Sequence, residues 1–138
     1  MKEYKVSADV ADQEFERFAE EMDLDIDTAE MDASDLAAFR KQKSRIIRAI
    51  QRGDLVINDN GEAVYTPSNP NTRSADPVTF HERTGASLMA MDGKKAGHDV
   101  AKTYAVMANM CGVHASVFAN MAGSDIKVCE AIFAFLMD

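Results

Sequence analysis

The chain has 138 residues, with 23 acidic against 15 basic side chains and a formal net charge of −8, and 46% of its residues are apolar. A chain of this length supports one hydrophobic core. Its longest uninterrupted apolar run is the seven residues Ala131–Met137, whereas a membrane span needs ~18 or more. The N-terminus lacks the apolar segment of a signal peptide, and two cysteines, Cys111 and Cys129, are too few for a disulfide scaffold. We therefore expect a cytoplasmic protein with reduced thiols and no membrane partner.

The charge is unevenly distributed along the chain. Residues 1–35 hold thirteen acidic and three basic residues, whereas residues 36–52 hold six basic residues and no acidic one. We interpret 1–35 as an acidic N-terminal arm with one helix, and 36–138 as a single globular domain. The six cations define an alternative site for a polyanion or an acidic partner: Arg40, Lys41, Lys43, Arg45, Arg48 and Arg52. That alternative describes a small regulatory or nucleic-acid-associated module, although the excess negative charge nearby disfavours nucleic acid.

Local patterns in the first half predict two helices followed by strands. Apolar residues at helical spacing indicate a helix over about 9–23 and a second one that begins near Asp32 or Ser34 and ends at Gly53. Two β-prone runs around an Asn-Gly step predict a short antiparallel β-hairpin at about 55–65. Three prolines indicate a loop at 66–77, and the alternation at about 78–81 is typical of an optional third strand.

The second half is helical in pattern. Glycines divide it into helices at roughly 85–92, 98–111, 115–121 and 125–137. The predicted fold class is therefore mainly α, a small helical domain with a short β-hairpin.

Catalytic and metal-binding patterns are weak. Cys111 and His114 form one loose pair, with His98 and Cys129 elsewhere, whereas a structural zinc site usually has two close pairs. His81 and Glu82 are adjacent strand residues, which point to opposite faces. We expect no enzyme activity, no catalytic residues, no metal and no cofactor.

The feature that stands out is the apolar excess of the last helices. The 125–137 helix is apolar nearly all round, so its surface must be enclosed by its own fold or by another chain. Six of the nine methionines lie between Met89 and Met137, and methionine adapts to many apolar partners. Local apolar excess selects eight candidates for client binding or self-association: Val106, Met110, Phe118, Ile132, Phe133, Phe135, Leu136 and Met137.

The order of short motifs over about 76–136 resembles the tail assembly chaperones of long-tailed bacteriophages. The motifs are a strand entering a helix at a Thr-Gly step (78–85), the runs 88–92 and 97–102, and the helical segments 118–121 and 124–128. The resemblance extends over about 53–138, and residues 1–52 have no counterpart in it.

The resemblance implies a non-catalytic protein of the infected host's cytoplasm that is absent from the mature virion. Such chaperones bind the tape-measure protein, keep it soluble and help to recruit tail-tube subunits during tail assembly. Many such chaperones also occur in a longer form made by ribosomal frameshifting. Self-association into a homo-oligomer would extend one small apolar patch along a long client.

Overall fold

The structure, a computed structural model, describes residues 4–73, 76–89 and 99–137, and it confirms a mainly α architecture with a small antiparallel sheet. The elements in chain order are α1 (Ala8–Glu21), α2 (Ala33–Arg52), β1 (Leu55–Ile57), β2 (Ala63–Tyr65), β3 (Val78–Phe80), α3 (Gly85–Met89), α4 (Asp99–Cys111), α5 (Ser116–Ala119) and α6 (Gly123–Met137).

Side-chain caps set the ends of the two N-terminal helices. Ser7 accepts a hydrogen bond from the backbone N–H of Val10 at the start of α1, and Asp32 accepts one from the N–H of Asp35 at the start of α2. These bonds satisfy N–H groups that have no partner within the helix. Gly53 follows α2 with φ 81°, the left-handed conformation that commonly ends a helix. The predicted start near Asp32 and end at Gly53 are both confirmed.

The sheet has the strand order β1-β2-β3 and one fully buried face. Leu55 pairs with Tyr65, and Ala63 pairs with both Ile57 and Phe80. These residues are buried together with Val78. On the opposite face Val56 is 55% exposed, so the sheet packs on the core by one side only, as antiparallel sheets commonly do.

Helices α1, α2 and α4 pack against the strands, and α6 packs against α2. One hydrophobic cluster includes residues from all these elements. Phe15 and Phe18 of α1 are almost fully buried within it. The division into an arm at 1–35 and a domain at 36–138 stays a prediction, and the core draws residues from both sides of it.

The helices of the second half lie close to their predicted positions. The predicted helices at 85–92 and 98–111 correspond to α3 and α4, with residues 90–92 and 98 outside the described residues. The helix predicted at 115–121 is the single turn α5. Within the 66–77 loop, residues 74 and 75 also lie outside the described part of the chain.

Candidate functional site

An open groove runs between α2 and α6. It has a volume of about 460 Å³ and is lined by Met31, Asp35, Ala38, Phe39, Gln42, Ala134 and Phe135. Four of these residues, 35, 38, 39 and 42, form one row along α2 with the spacing i, i+3, i+4, i+7. Residues at that spacing lie on one side of a helix. The row spans about 10 Å, or two turns.

Two aromatic rings, Phe39 and Phe135, line the groove, and a third, Phe15, packs behind Phe135. The Phe135 ring meets the Phe39 ring edge-to-face, with centroids 5.6 Å apart, and it meets the Phe15 ring of α1 with centroids 5.2 Å apart. Phe135 is only 7% exposed, whereas Phe39 is half-buried and the outer residues Ala38 and Ala134 are exposed. The groove therefore has an aromatic floor, two alanines at its rim, and the polar side chains of Asp35 and Gln42 along one wall.

The segment of the chain that leads into the groove wall is strongly negative. Between Arg17 and Arg40 the sequence contains eight acidic residues and no lysine or arginine. All eight are exposed in the structure, and Asp35 is itself part of the groove wall. Arg17 does not offset them, because its guanidinium pairs with Glu14 at 2.6 Å and donates to the carbonyls of Ile57 and Asn58.

The eight residues selected by apolar excess do not form one free surface. Six are buried in the core of the single chain, and Phe133 and Met137 are half-buried: the buried ones are Val106, Met110, Phe118, Ile132, Phe135 and Leu136. While the chain keeps this fold, those six contact other parts of the same molecule. Phe135 alone among the eight lines the groove.

The groove itself was not predicted from the sequence. The i, i+3, i+4, i+7 row beginning at Asp35 is visible in the sequence. It was missed because Asp35, Ala38 and Gln42 carry little apolar weight, and the selection followed apolar excess.

The six cations of the alternative site have different surroundings. Lys43 pairs with Asp12 at 2.9 Å and lies 5.3 Å from the centre of the Phe15 ring, so it links α2 to α1. Arg45 is half-buried and contacts Gln42. The other four are exposed: Arg40, Lys41, Arg48 and Arg52.

A buried carboxylate joins the 66–77 loop to α6. Asp125 is 1% exposed and accepts hydrogen bonds from the Tyr65 hydroxyl at 2.7 Å, from the Thr72 hydroxyl, and from two loop N–H groups. Burial alone would raise the pKa of Asp125, but these hydrogen bonds to the ionised form outweigh it and hold the pKa below its ordinary value. Burial of the Tyr65 hydroxyl and its hydrogen bond to Asp125 raise the pKa of Tyr65.

The cysteines and histidines that could bind a metal lie in different environments. Burial raises the pKa of the Cys111 thiol to about 12, and burial also raises that of Cys129. His114 contacts Ser116, and His98 lies outside the described residues. Over 4–73, 76–89 and 99–137, no group of three or more metal-ligating side chains is arranged to hold an ion.

His81 is paired with Glu62 rather than with its neighbour Glu82. Burial opposes ionisation of Glu62, but hydrogen bonds from His81 and Asn58 lower the pKa of Glu62 overall. The His81 side chain is 54% exposed, and the pair joins β3 to the residue before β2. This ion pair is a surface link at the edge of the sheet. It is not visible in the sequence, because the partners are nineteen residues apart.

Comparison with protein-family models, with curated proteins and with solved structures found no match to this chain. Among the helices that the structure describes, none combines the length and apolar character needed to cross a membrane.

Proposed function

We propose that this protein is a tail assembly chaperone of a long-tailed bacteriophage. In this role it binds the tape-measure protein, keeps it soluble and helps to recruit tail-tube subunits, without catalysis. It acts in the host cytoplasm as a homo-oligomer and is absent from the mature virion. The proposal is supported by the motif order over 76–136 and by the physical character of the α2–α6 groove.

The groove is the observation that carries the proposal. A client with exposed apolar helices aggregates unless another surface covers them, and helices commonly bind in apolar grooves through residues at i, i+3, i+4 and i+7. The groove offers such a surface on Phe39 and Phe135, whose rings contact each other. The net charge of −8 favours solubility of the chain and of any complex it forms.

The test is co-expression with the tape-measure protein encoded in the same genome. Wild-type chain should bring the client into the soluble fraction as a complex. Ala134→Arg places a long charged side chain in the groove and should abolish this effect. Ala37→Arg is the matched control, because Ala37 is also exposed but lies outside the groove lining. A client that is equally soluble without this protein, or with Ala134→Arg, would overturn the proposal.

The exposed cations of α2 favour a second candidate, the binding of a polyanion. Lys41, Arg48 and Arg52 fall on one side of the helix at spacings of seven and four. If this candidate is right, changing all three to Gln removes binding to a polyanion such as heparin while client solubility stays the same. Unchanged polyanion binding, or none in the wild type, removes the candidate.

A further inference from the structure

We infer that the α2–α6 groove binds a basic amphipathic helix, one whose apolar stripe is flanked by lysine or arginine. The inference rests on the proposed function, since it names the chemistry of the client segment that the chaperone covers. It is carried by two independent observations, the shape of the groove and the charge beside it.

The shape calls for a helix. On α2 the row combines Ala38 and Phe39 at its centre with Asp35 and Gln42 at its ends over about two turns. On the other side, α6 forms the second wall through Ala134 and Phe135. A third helix laid against these two walls would contact both, in the way that helices pack at interaxial distances of about 8–10 Å. The exposed alanines at positions 38 and 134 allow close approach.

The charge selects the flanks of that helix. Asp35 lies in the wall, and the chain leading into α2 contributes the exposed acids Asp27, Glu30 and Asp32. An acidic flank on the incoming helix would meet like charge, whereas a lysine or arginine would be attracted. The apolar groove supplies most of the affinity, and the charges set which helix is accepted.

The occupant is not the basic helix of a second copy. The apolar side of α2 is already used in its own core, where Ile46, Ala49 and Ile50 are buried. The other long N-terminal helix, α1, is acidic and buries Phe15 and Phe18. Neither N-terminal helix of a second copy thus offers a free apolar stripe, so the inference commits to a helix of a different protein.

Two synthetic helical peptides test the inference with the full chain. Both carry the same leucine and alanine stripe, and they differ only in flanking residues, lysine in one and glutamate in the other. Binding is measured by fluorescence anisotropy at about 0.05 M and about 0.5 M NaCl. We expect the lysine peptide to bind at least about tenfold more tightly at low salt, with a smaller preference at high salt.

Matched variants locate the effect. Asp35→Asn should weaken the affinity for the lysine peptide about three- to fivefold. Asp59→Asn is the same change at an exposed acid between β1 and β2, and it should leave that affinity unchanged. Ala134→Arg should abolish binding of both peptides, and Ala37→Arg should not. Thermal unfolding of each variant verifies that it remains folded.

Three results would overturn the inference. The first is equal binding of the two peptides, and the second is peptide binding that survives Ala134→Arg. The third is a wild-type oligomer that Ala134→Arg converts to monomers, because this would show that a second copy covers the groove. Failure of the inference is separable from failure of the proposed function. If the tape-measure protein is still solubilised while the peptides are not distinguished, the chaperone proposal stands and the basic client helix is wrong.

Discussion

At the scale of single residues, Asp125 is the most constrained polar group in the described structure. Its carboxylate accepts four hydrogen bonds, from two side chains and two backbone N–H groups, across more than fifty residues of sequence. It also lies in the first turn of α6, where a negative charge interacts favourably with the helix dipole. The loop containing all three prolines is held at α6 by this carboxylate together with two further bonds: the Asn69 side chain donates to Ser124, and the Thr72 hydroxyl accepts from the N–H of Ala122.

Asp125→Asn is expected to lower the free energy of unfolding by about 2–4 kcal/mol, because the amide cannot accept all four bonds and leaves buried donors unpaired. Chemical denaturation at neutral pH measures this loss. Asp59→Asn, at an exposed acid, is the control and should change stability by less than about 0.5 kcal/mol. An equal effect of the two substitutions would contradict the structural role of Asp125.

Acid should remove the contribution of Asp125. Its folded-state pKa lies below the ordinary value of 3.8, so the unfolded chain binds the proton more readily. The stabilisation is therefore fully present above about pH 4 and is lost as the pH falls through the folded-state pKa. The difference in melting temperature between wild type and Asp125→Asn should shrink over that acidic range, and a constant difference would show that ionisation is not involved.

Gly61 is the second constrained residue. Its φ is +79°, and an added Cβ would lie 2.2 Å from the Cβ of Glu21 at the end of α1. Gly61→Ala is expected to cost about 2 kcal/mol or more, from the left-handed backbone and the clash together. Gly123→Ala is the matched control, because a Cβ at Gly123 would meet nothing within 4 Å. Denaturant midpoints of the two variants give the comparison, and equal midpoints would contradict it.

At the scale of elements, α6 contributes five apolar residues to the core. It buries Cys129, Ala131, Ile132, Phe135 and Leu136. Its neighbouring phenylalanines differ in environment, since Phe135 contacts the rings of Phe15 and Phe39 whereas Phe133 is half-buried.

Phe135→Ala should destabilise the fold by about 3–5 kcal/mol, as expected for a large cavity in a packed core. Phe133→Ala should cost clearly less, because less of its surface is removed from water. Equilibrium unfolding of both variants measures the difference. Equal losses would show that the two faces of α6 are buried alike, which would require a partner over Phe133.

The sequence was sufficient to place most elements. Asp32 and Gly53 are local signals that act within one turn, so the bounds of α2 could be read directly from it. Whether an apolar residue faces its own core or a partner is not a local property. The apolar pattern of Phe135 is the same in both cases, and only the position of α1 and α2 decides it. The Asp125 hydrogen bonds were equally hidden, because the donors and the acceptor are far apart in the chain.

At the scale of the whole molecule, the acidic N-terminal region is both charged surface and core. Most of its described acids are exposed, with Asp12 and Glu14 half-buried, yet Phe15 and Phe18 are buried in the same cluster as α4 and α6 residues. Charge composition alone describes only the outward side of such a helix, which is why residues 1–35 were predicted as an arm.

A chain shortened to residues 36–138 tests this dual role. We expect it to lose cooperative thermal unfolding. Removing α1 eliminates the contact of Phe15 with Phe135 and exposes the core residues that α1 covers. Circular dichroism melting and gel filtration measure the outcome. A shortened chain that melts like the full one would show that 1–35 is a separable arm.

The two buried thiols can be used to measure local opening of the fold. Cys129 is 0% exposed and Cys111 is 8% exposed, on different helices, and burial raises the pKa of both. The thiolate is the reactive form toward alkylating reagents, so we expect both residues to react slowly at neutral pH while their helices stay packed on the core. The alkylation rate of each cysteine therefore reports how often α4 or α6 separates from the core, and saturation of that rate with reagent would give the opening rate itself.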